Sequence, residues 1–249
     1  LEKIDFFGNI EICVVSSSDM RESVSVNFKQ LFPLFPLPET ALLPHTIVPI
    51  AVSEPRFCQL VDHALDGSGQ VAIATLEATD DSAPLSQTPN VRPAVCLGQI
   101  VQHDTSSYGY NILVYGLCRA TIKNVNEPNA ECEYSRASIK PTESSREANV
   151  DHRRVELQKI LQRPNLQRLE RLGALEYWME QDEITTPALF ELIGGSLLDD
   201  AEFRYELLAE PSCDRRTLRI LSELRHIDWL LSMSNGQSQN RWEKGVSWN

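Results

Sequence analysis

At 249 residues, with 42% hydrophobic and 23% charged side chains, the chain has the make-up of an ordinary globular protein, long enough for a substantial core without disulfide staples. Its 35 acidic against 23 basic residues give a formal charge of −12, which disfavours nucleic-acid phosphates and anionic lipid as partners, and the short clusters Arg153-Arg154 and Arg215-Arg216 read as solvated helix faces. The longest apolar stretches, Leu31–Leu37 and Thr46–Val52, are strand-sized and far short of the ~18–20 residues of a membrane span.

The first methionine is Met20, so residues 1–30 are expected to be an upstream extension or disordered, with Met20 a plausible start. Glu2 beside Lys3, and the brief apolar run Ile12–Val15, lack the basic start and longer apolar core of a signal peptide, which makes the cytosol the expected compartment.

Between residues 31 and 140 the pattern is one of short strands punctuated by Pro and Gly: Leu31–Phe35, Thr46–Val52, Gln70–Leu76, Ala94–His103, Tyr110–Tyr115, Ala120–Val125 and Cys132–Ile139. Alternation in several of them favours an antiparallel sheet solvated on one face, whereas Val71–Leu76 is apolar or small at both parities and should be central. One helix interrupts the strands. Ser53 is its expected N-cap, Pro55 sits in the first turn, Phe57, Leu60, Val61 and Ala64 form the apolar stripe, and Gly67 ends it. Residues 80–93, rich in Pro, Ser and Thr, read as a loop.

After Pro141 the period changes from strand to helix. Glu147–Arg163, Leu166–Gln181, Pro187–Leu197, Ala201–Ala209 and Asp214–Ser232 are expected helices separated by Pro164, Pro187 and Pro211, and Ile220, Leu224, Ile227 and Leu231 mark the buried face of the last. Residues 147–232 thus form a second, helical subdomain, and 233–249 a disordered polar tail.

Common catalytic signatures are missing. None of the six lysines precedes Ser or Thr as a nucleotide-binding loop requires; Ile4, Gln30, Asn124, Pro141, Ile160 and Gly245 follow them. No G-x-S-x-G, H-E-x-x-H or G-x-G-x-x-G motif occurs. His103 and Asp104, adjacent on a strand, point to opposite faces and do not share a site; His63, His152 and His226 read as surface residues. The cysteines, at 13, 58, 96, 118, 132 and 213, form no C-x-x-C pair and are read as reduced thiols, mostly filling core space, so no metal and no cofactor is expected.

Two ordered blocks carry a family resemblance. The first runs through Leu34-Phe35-Pro36-Leu37-Pro38, Leu42-Leu43-Pro44-His45 and Val48-Pro49-Ile50-Ala51-Val52-Ser53-Glu54-Pro55-Arg56-Phe57; the second joins Gly98-Gln99-Ile100-Val101 and Gly109 to Leu113-Val114-Tyr115-Gly116-Leu117-Cys118-Arg119-Ala120-Thr121-Ile122. With Pro187-Ala188-Leu189-Phe190-Glu191-Leu192-Ile193 and Leu207-Leu208 further on, the chain resembles the N-terminal substrate-recognition domain of Lon proteases over roughly residues 31–232, most closely its stand-alone bacterial form. The resemblance implies an α+β fold: a PUA-like antiparallel β pseudo-barrel with one helix over 31–140, then a C-terminal helical bundle over 147–232. Gly116 is read as a turn between two strands, and Glu54 and Arg56 as a local pair. The chain departs from the family's pattern at Ser53, where an aromatic residue is usual, and at Tyr108-Gly109-Tyr110, where Asp-Gly-Arg is common.

The expected function is non-catalytic binding of unfolded or exposed polypeptide segments, as a proteolysis adaptor or as a recruiter for a protease or chaperone. RNA binding by a PUA-like fold and an enzyme of unknown chemistry are the alternatives. The candidate partner-binding residues are Tyr108 and Tyr110, which flank Gly109 at a hairpin tip with few apolar neighbours to bury both rings.

Overall fold

The computed structural model describes residues 3–4, 9–14, 22–77, 90–142, 149–168, 178–179, 181 and 184–239. Nine strands and five helices follow one another along them: β1 (Lys3–Ile4), β2 (Asn9–Val14), β3 (Glu22–Asn27), β4 (Phe32–Leu37), β5 (Ile47–Val52), α1 (Pro55–Asp66), β6 (Gln70–Leu76), β7 (Val91–Ser106), β8 (Gly109–Asn126), β9 (Arg136–Pro141), α2 (His152–Leu161), α3 (Thr186–Leu197), α4 (Ala201–Ala209) and α5 (Cys213–Gln239), with a short 3-10 turn at Leu166–Arg168. The fold is α+β, with helices segregated towards the C-terminus.

The main sheet runs β5-β8-β7-β6-β4-β9, and β9 returns to pair with β8, closing a ring from which β5 alone projects. Every pair is antiparallel except β4 with β6, which α1 and β5 separate in sequence and which run parallel. Residues 10 and 24 to 26 extend this picture: β3 pairs with β2, and its alternating Val24 and Val26 lie against the barrel, Val26 fully buried. Packed chain is thus present ahead of residue 31, with the Val-Ser-Val alternation as its signal. Met20 lies outside the described residues.

Two clusters of apolar side chains use the opposite faces of the sheet. Leu34, Ala72, Ala74, Val95, Leu97, Leu117 and Ala120 fill the inside of the ring. Phe35, Val71, Ile73, Cys96, Ile112 and Val114 face outward onto α1 and the C-terminal helices, where Leu157, Leu189, Phe190, Leu207, Ile220 and Leu224 meet them. β6 is thus buried on both faces, as its sequence anticipates.

Local boundaries differ in instructive ways. Glu54, not Ser53, is the N-cap of α1, and its carboxylate gives no capping bond because Arg56 takes it, Nε to Oε2 at 2.9 Å. Gly116 makes no turn: β8 passes straight through it. Glycine is required there because the Leu43 carbonyl packs onto the strand, 2.2 Å from where a Cβ would stand. β7 and β8 form one long hairpin whose ends extend beyond the ring. The third and fourth helices are capped by side chains, Thr185 Oγ1 accepting from Ala188 N at 3.4 Å and Asp200 Oδ1 from Phe203 N at 2.6 Å. α5 continues past Ser232 to Gln239. The expected helix Leu166–Gln181 and loop 80–93 lie largely outside the described residues.

Candidate functional site

The extended end of the β7–β8 hairpin, with β5 alongside, makes a three-stranded arm. Directly opposed residues in adjacent antiparallel strands share a face, so the register defines rows across the arm. Pro49, Leu113 and Gln102 form one row; Ala51, Asn111 and Asp104 form the next on the same face. Ile47 opposite Tyr115 continues that face towards the ring. Ile50 opposite Ile112, and Val52 opposite Tyr110, point the other way.

These two faces have different fates. The side bearing Ile50, Val52, Ile112 and Val114 is buried under α1 and its neighbours. The other side is open. Ile47 is 56% exposed and Val101, at a bulge in β7, is 52% exposed; Pro49 and Ala51 are also exposed. Between the rows lies an open depression of about 320 Å³ lined by Pro49, Ala51, Leu113, Gln102, Asp104 and Asn111. Tyr115, opposite Ile47, belongs to the cluster inside the ring, so the open face ends there. Such apolar surface rimmed by polar groups is what a recognition surface requires.

The two tyrosines at the tip do not converge. Tyr108, in the turn, is 83% exposed, its backbone N–H donating to Ser106 Oγ at 3.3 Å. Tyr110 belongs to the covered face, where its hydroxyl donates to Asp62 of α1. That bond to a carboxylate holds the Tyr110 phenol above its ordinary value. Gly109, at φ 140°, brings the turn within 2.0 Å, for a Cβ, of the Val52 carbonyl. Tyr108 therefore stands in solvent at the tip of the arm, whereas Tyr110 pins the arm to α1.

Sequence reading did not find the rows themselves. Their signal is present: in Ile47-Val48-Pro49-Ile50-Ala51-Val52 both parities are apolar, more than a single covering helix can bury. What the sequence hides is which parity α1 covers.

A second arrangement lies deeper. Arg119 of β8 is fully buried, its NH2 group donating to Glu191 Oε2 of α3 and its Nε to the Leu207 carbonyl at 3.2 Å. Arg216 of α5 donates Nε to Glu191 Oε1 at 2.9 Å and NH1 to the Glu210 carbonyl at 2.9 Å. Burial alone would push the Glu191 carboxyl up, but the two guanidiniums outweigh it and hold the group below the usual carboxylate range. The cluster is closed to solvent and clamps three C-terminal helices to the strand. The motif blocks contain Arg119 and Glu191; a lone charge inside Leu117–Ala120 or Ala188–Ile193 is the available clue.

Histidines serve packing. His45, in a left-handed conformation at φ 65°, shares a hydrogen bond with Tyr115 Oη at 3.0 Å, and His63 one with Tyr134 Oη at 2.9 Å. His103 and Asp104 lie on opposite faces of β7, opposite Ile112 and Asn111. Cys96, Cys118 and Cys132 are buried.

Residues 32–226 match the family model of the ATP-dependent protease La (LON) substrate-binding domain. The chain belongs to that family. The matched span of this LON substrate-binding family contains both the open face and the Arg119–Glu191–Arg216 clamp. Among solved structures it is similar to the N-terminal domain of Mycobacterium avium complex Lon protease, with 23% identity and a TM-score of 0.57, covering 78% of this chain and 97% of that one. It is similar also to a Lon N-terminal domain protein from Xanthomonas campestris, with 18% identity and a TM-score of 0.51, covering 78% and 98%. At these identities the likeness establishes the fold. No curated protein matches the chain. Among the described residues no helix is long and apolar enough to cross a membrane.

Proposed function

We propose that this protein binds extended or unfolded polypeptide segments through the open face of β5, β8 and β7, with Tyr108 at its outer end. It performs no chemistry on them and acts as a cytosolic adaptor that presents clients to a protease or chaperone. The observation that carries this reading is the amphipathic arm: one side is fully packed, the other leaves Ile47, Pro49, Ala51 and Leu113 as an apolar strip beside a depression. An extended chain laid along such a strip buries apolar side chains while its backbone stays within reach of the polar rim. Membership of a substrate-binding family supports the same reading, and the charge of −12 favours polypeptide over nucleic acid.

The test is binding of a fluorescein-labelled, permanently unfolded protein, reduced and carboxymethylated, followed by anisotropy. Ile47→Asp with Ala51→Asp places charge on the strip at two exposed positions and should weaken binding about tenfold with little change in thermal stability. Unchanged binding by this folded double variant would refute the surface assignment. Magnesium-dependent ATP turnover that survives repurification would refute the non-catalytic reading.

A further inference from the structure

The polar edge of the depression has a charge of its own. Asp104 closes the row Ala51–Asn111–Asp104, is exposed, and is flanked by the uncharged amides of Gln102 and Asn111. Among the described residues no cation pairs with it. Two other acids near the arm are engaged: Asp62 accepts from the Tyr110 hydroxyl, and Glu54 pairs with Arg56 at 2.9 Å. An unneutralised carboxylate thus stands one row beyond an apolar row made by Pro49 and Leu113.

We propose that Asp104 makes this face selective for extended segments in which an arginine or lysine stands two residues from an apolar side chain. The inference rests on the polypeptide-binding reading above and adds the chemistry of the client. Its spacing follows from strand geometry. Two rows on one face are two residues apart, about 6.8 Å along the strand, and an extended client repeats its own same-side residues at the same interval. An apolar side chain seated on the Pro49–Leu113 row therefore places the side chain two positions on over Ala51 and Asn111, one strand spacing of about 4.8 Å from Asp104 and within reach of it for a long cationic side chain. A cation there gains a charge-assisted hydrogen bond, while an acidic residue meets like charge over a carboxylate already desolvated by the client's backbone.

The overall negative charge of the protein attracts basic peptides without regard to spacing, so the experiment separates the two effects. At about 0.15 M salt the screening length is about 8 Å, which leaves Asp104 as the dominant charge felt at the row and suppresses distant ones. Fluorescein-labelled peptides carrying one leucine in a Ser/Thr background, with Arg, Gln or Glu two residues later, and a fourth with Arg one residue later, are titrated by anisotropy. The correctly spaced Arg peptide should bind about threefold more tightly than the Gln peptide, the Glu peptide more weakly than both, and the misplaced Arg should lose the advantage. Asp104→Asn should abolish the Arg advantage and leave the Gln peptide unaffected. Glu127→Gln, an exposed carboxylate removed past the opposite end of β8, should leave the advantage intact. An Arg advantage that survives Asp104→Asn, or that ignores spacing, overturns the proposal while leaving the binding function standing. Failure of every peptide to bind overturns both.

Discussion

Glu191 of α3 and Arg119 of β8 are joined across the boundary between strands and helices, each almost wholly buried, with Arg216 of α5 completing the contact at 2.9 Å from the other carboxylate oxygen. Removing one member leaves buried charge uncompensated. Glu191→Gln should therefore lower unfolding free energy by about 3–5 kcal/mol, measured by urea denaturation. Replacing all three by apolar residues of similar volume should cost less than that single change. A triple variant less stable than Glu191→Gln would show that the cluster contributes net stability.

The clamp also sets an acid limit. Because Glu191 titrates below its unfolded value in the native state, its contribution is present above the unfolded carboxylate range and is lost as pH falls through the lower folded value. Acid unfolding of wild type should accordingly be steeper with falling pH than that of the apolar triple variant. Equal slopes in pH-dependent denaturation would remove Glu191 from the account.

Alkaline behaviour should depend on Tyr115. Burial pushes its phenol up to about 12 from an ordinary 10.0. Below pH 10 both states are neutral; between pH 10 and 12 the unfolded state alone ionises, so stability falls across that window. Two pH units correspond to about 2.7 kcal/mol at most. Tyr115→Phe, whatever it does to stability at neutral pH, should flatten the slope, with Tyr134, whose buried phenol is also pushed up to about 12, and Tyr110, held up by Asp62, contributing to the remainder. An unaltered slope would sink the assignment.

Two glycines make a paired test of packing. Gly116→Ala would set a Cβ against the Leu43 backbone and should destabilise by at least about 2 kcal/mol. Gly67→Ala meets nothing nearer than 3.5 Å and should destabilise less than Gly116→Ala. Thermal melts of the two variants distinguish a close approach from mere flexibility.

Tyr108 and Tyr110 should separate by readout. Tyr108→Ser should reduce client capture with little effect on melting temperature, since the ring is 83% exposed. Tyr110→Ser removes the bond to Asp62 and cross-strand packing against Val52, and should lower the melting temperature. Parallel losses of stability in both variants would return Tyr108 to a structural role.

Much of the fold can be read from residue order because its causes are local. Pro55 in a first turn, the Leu60, Val61 and Ala64 stripe, and the doubly apolar Val71–Leu76 each state their environment within a few residues. The misread features depend on distant neighbours. Gly116 is explained only by Leu43, and the parallel partnership of β4 with β6 only by the route of the chain between them. The same division holds at the candidate surface. Tyr108 announces its exposure through the turn residues around it, whereas Tyr110 finds Asp62 on a helix far earlier in the sequence, and the role of Pro49 or Leu113 depends on which side of β5 and β8 the helix α1 covers.

The uninterrupted course of β8 has a mechanical meaning. One strand carries Asn111 and Leu113 on the arm and, with no turn at Gly116, Arg119 in the clamp. It has β5 and β7 beside it at one end and β7 and β9 at the other. Tension applied to a client lying along the arm therefore loads its flanking ladders in shear, many hydrogen bonds together, rather than peeling them one at a time. Under the proposed function, that geometry would let the arm keep hold of a client while a protease or chaperone pulls on it.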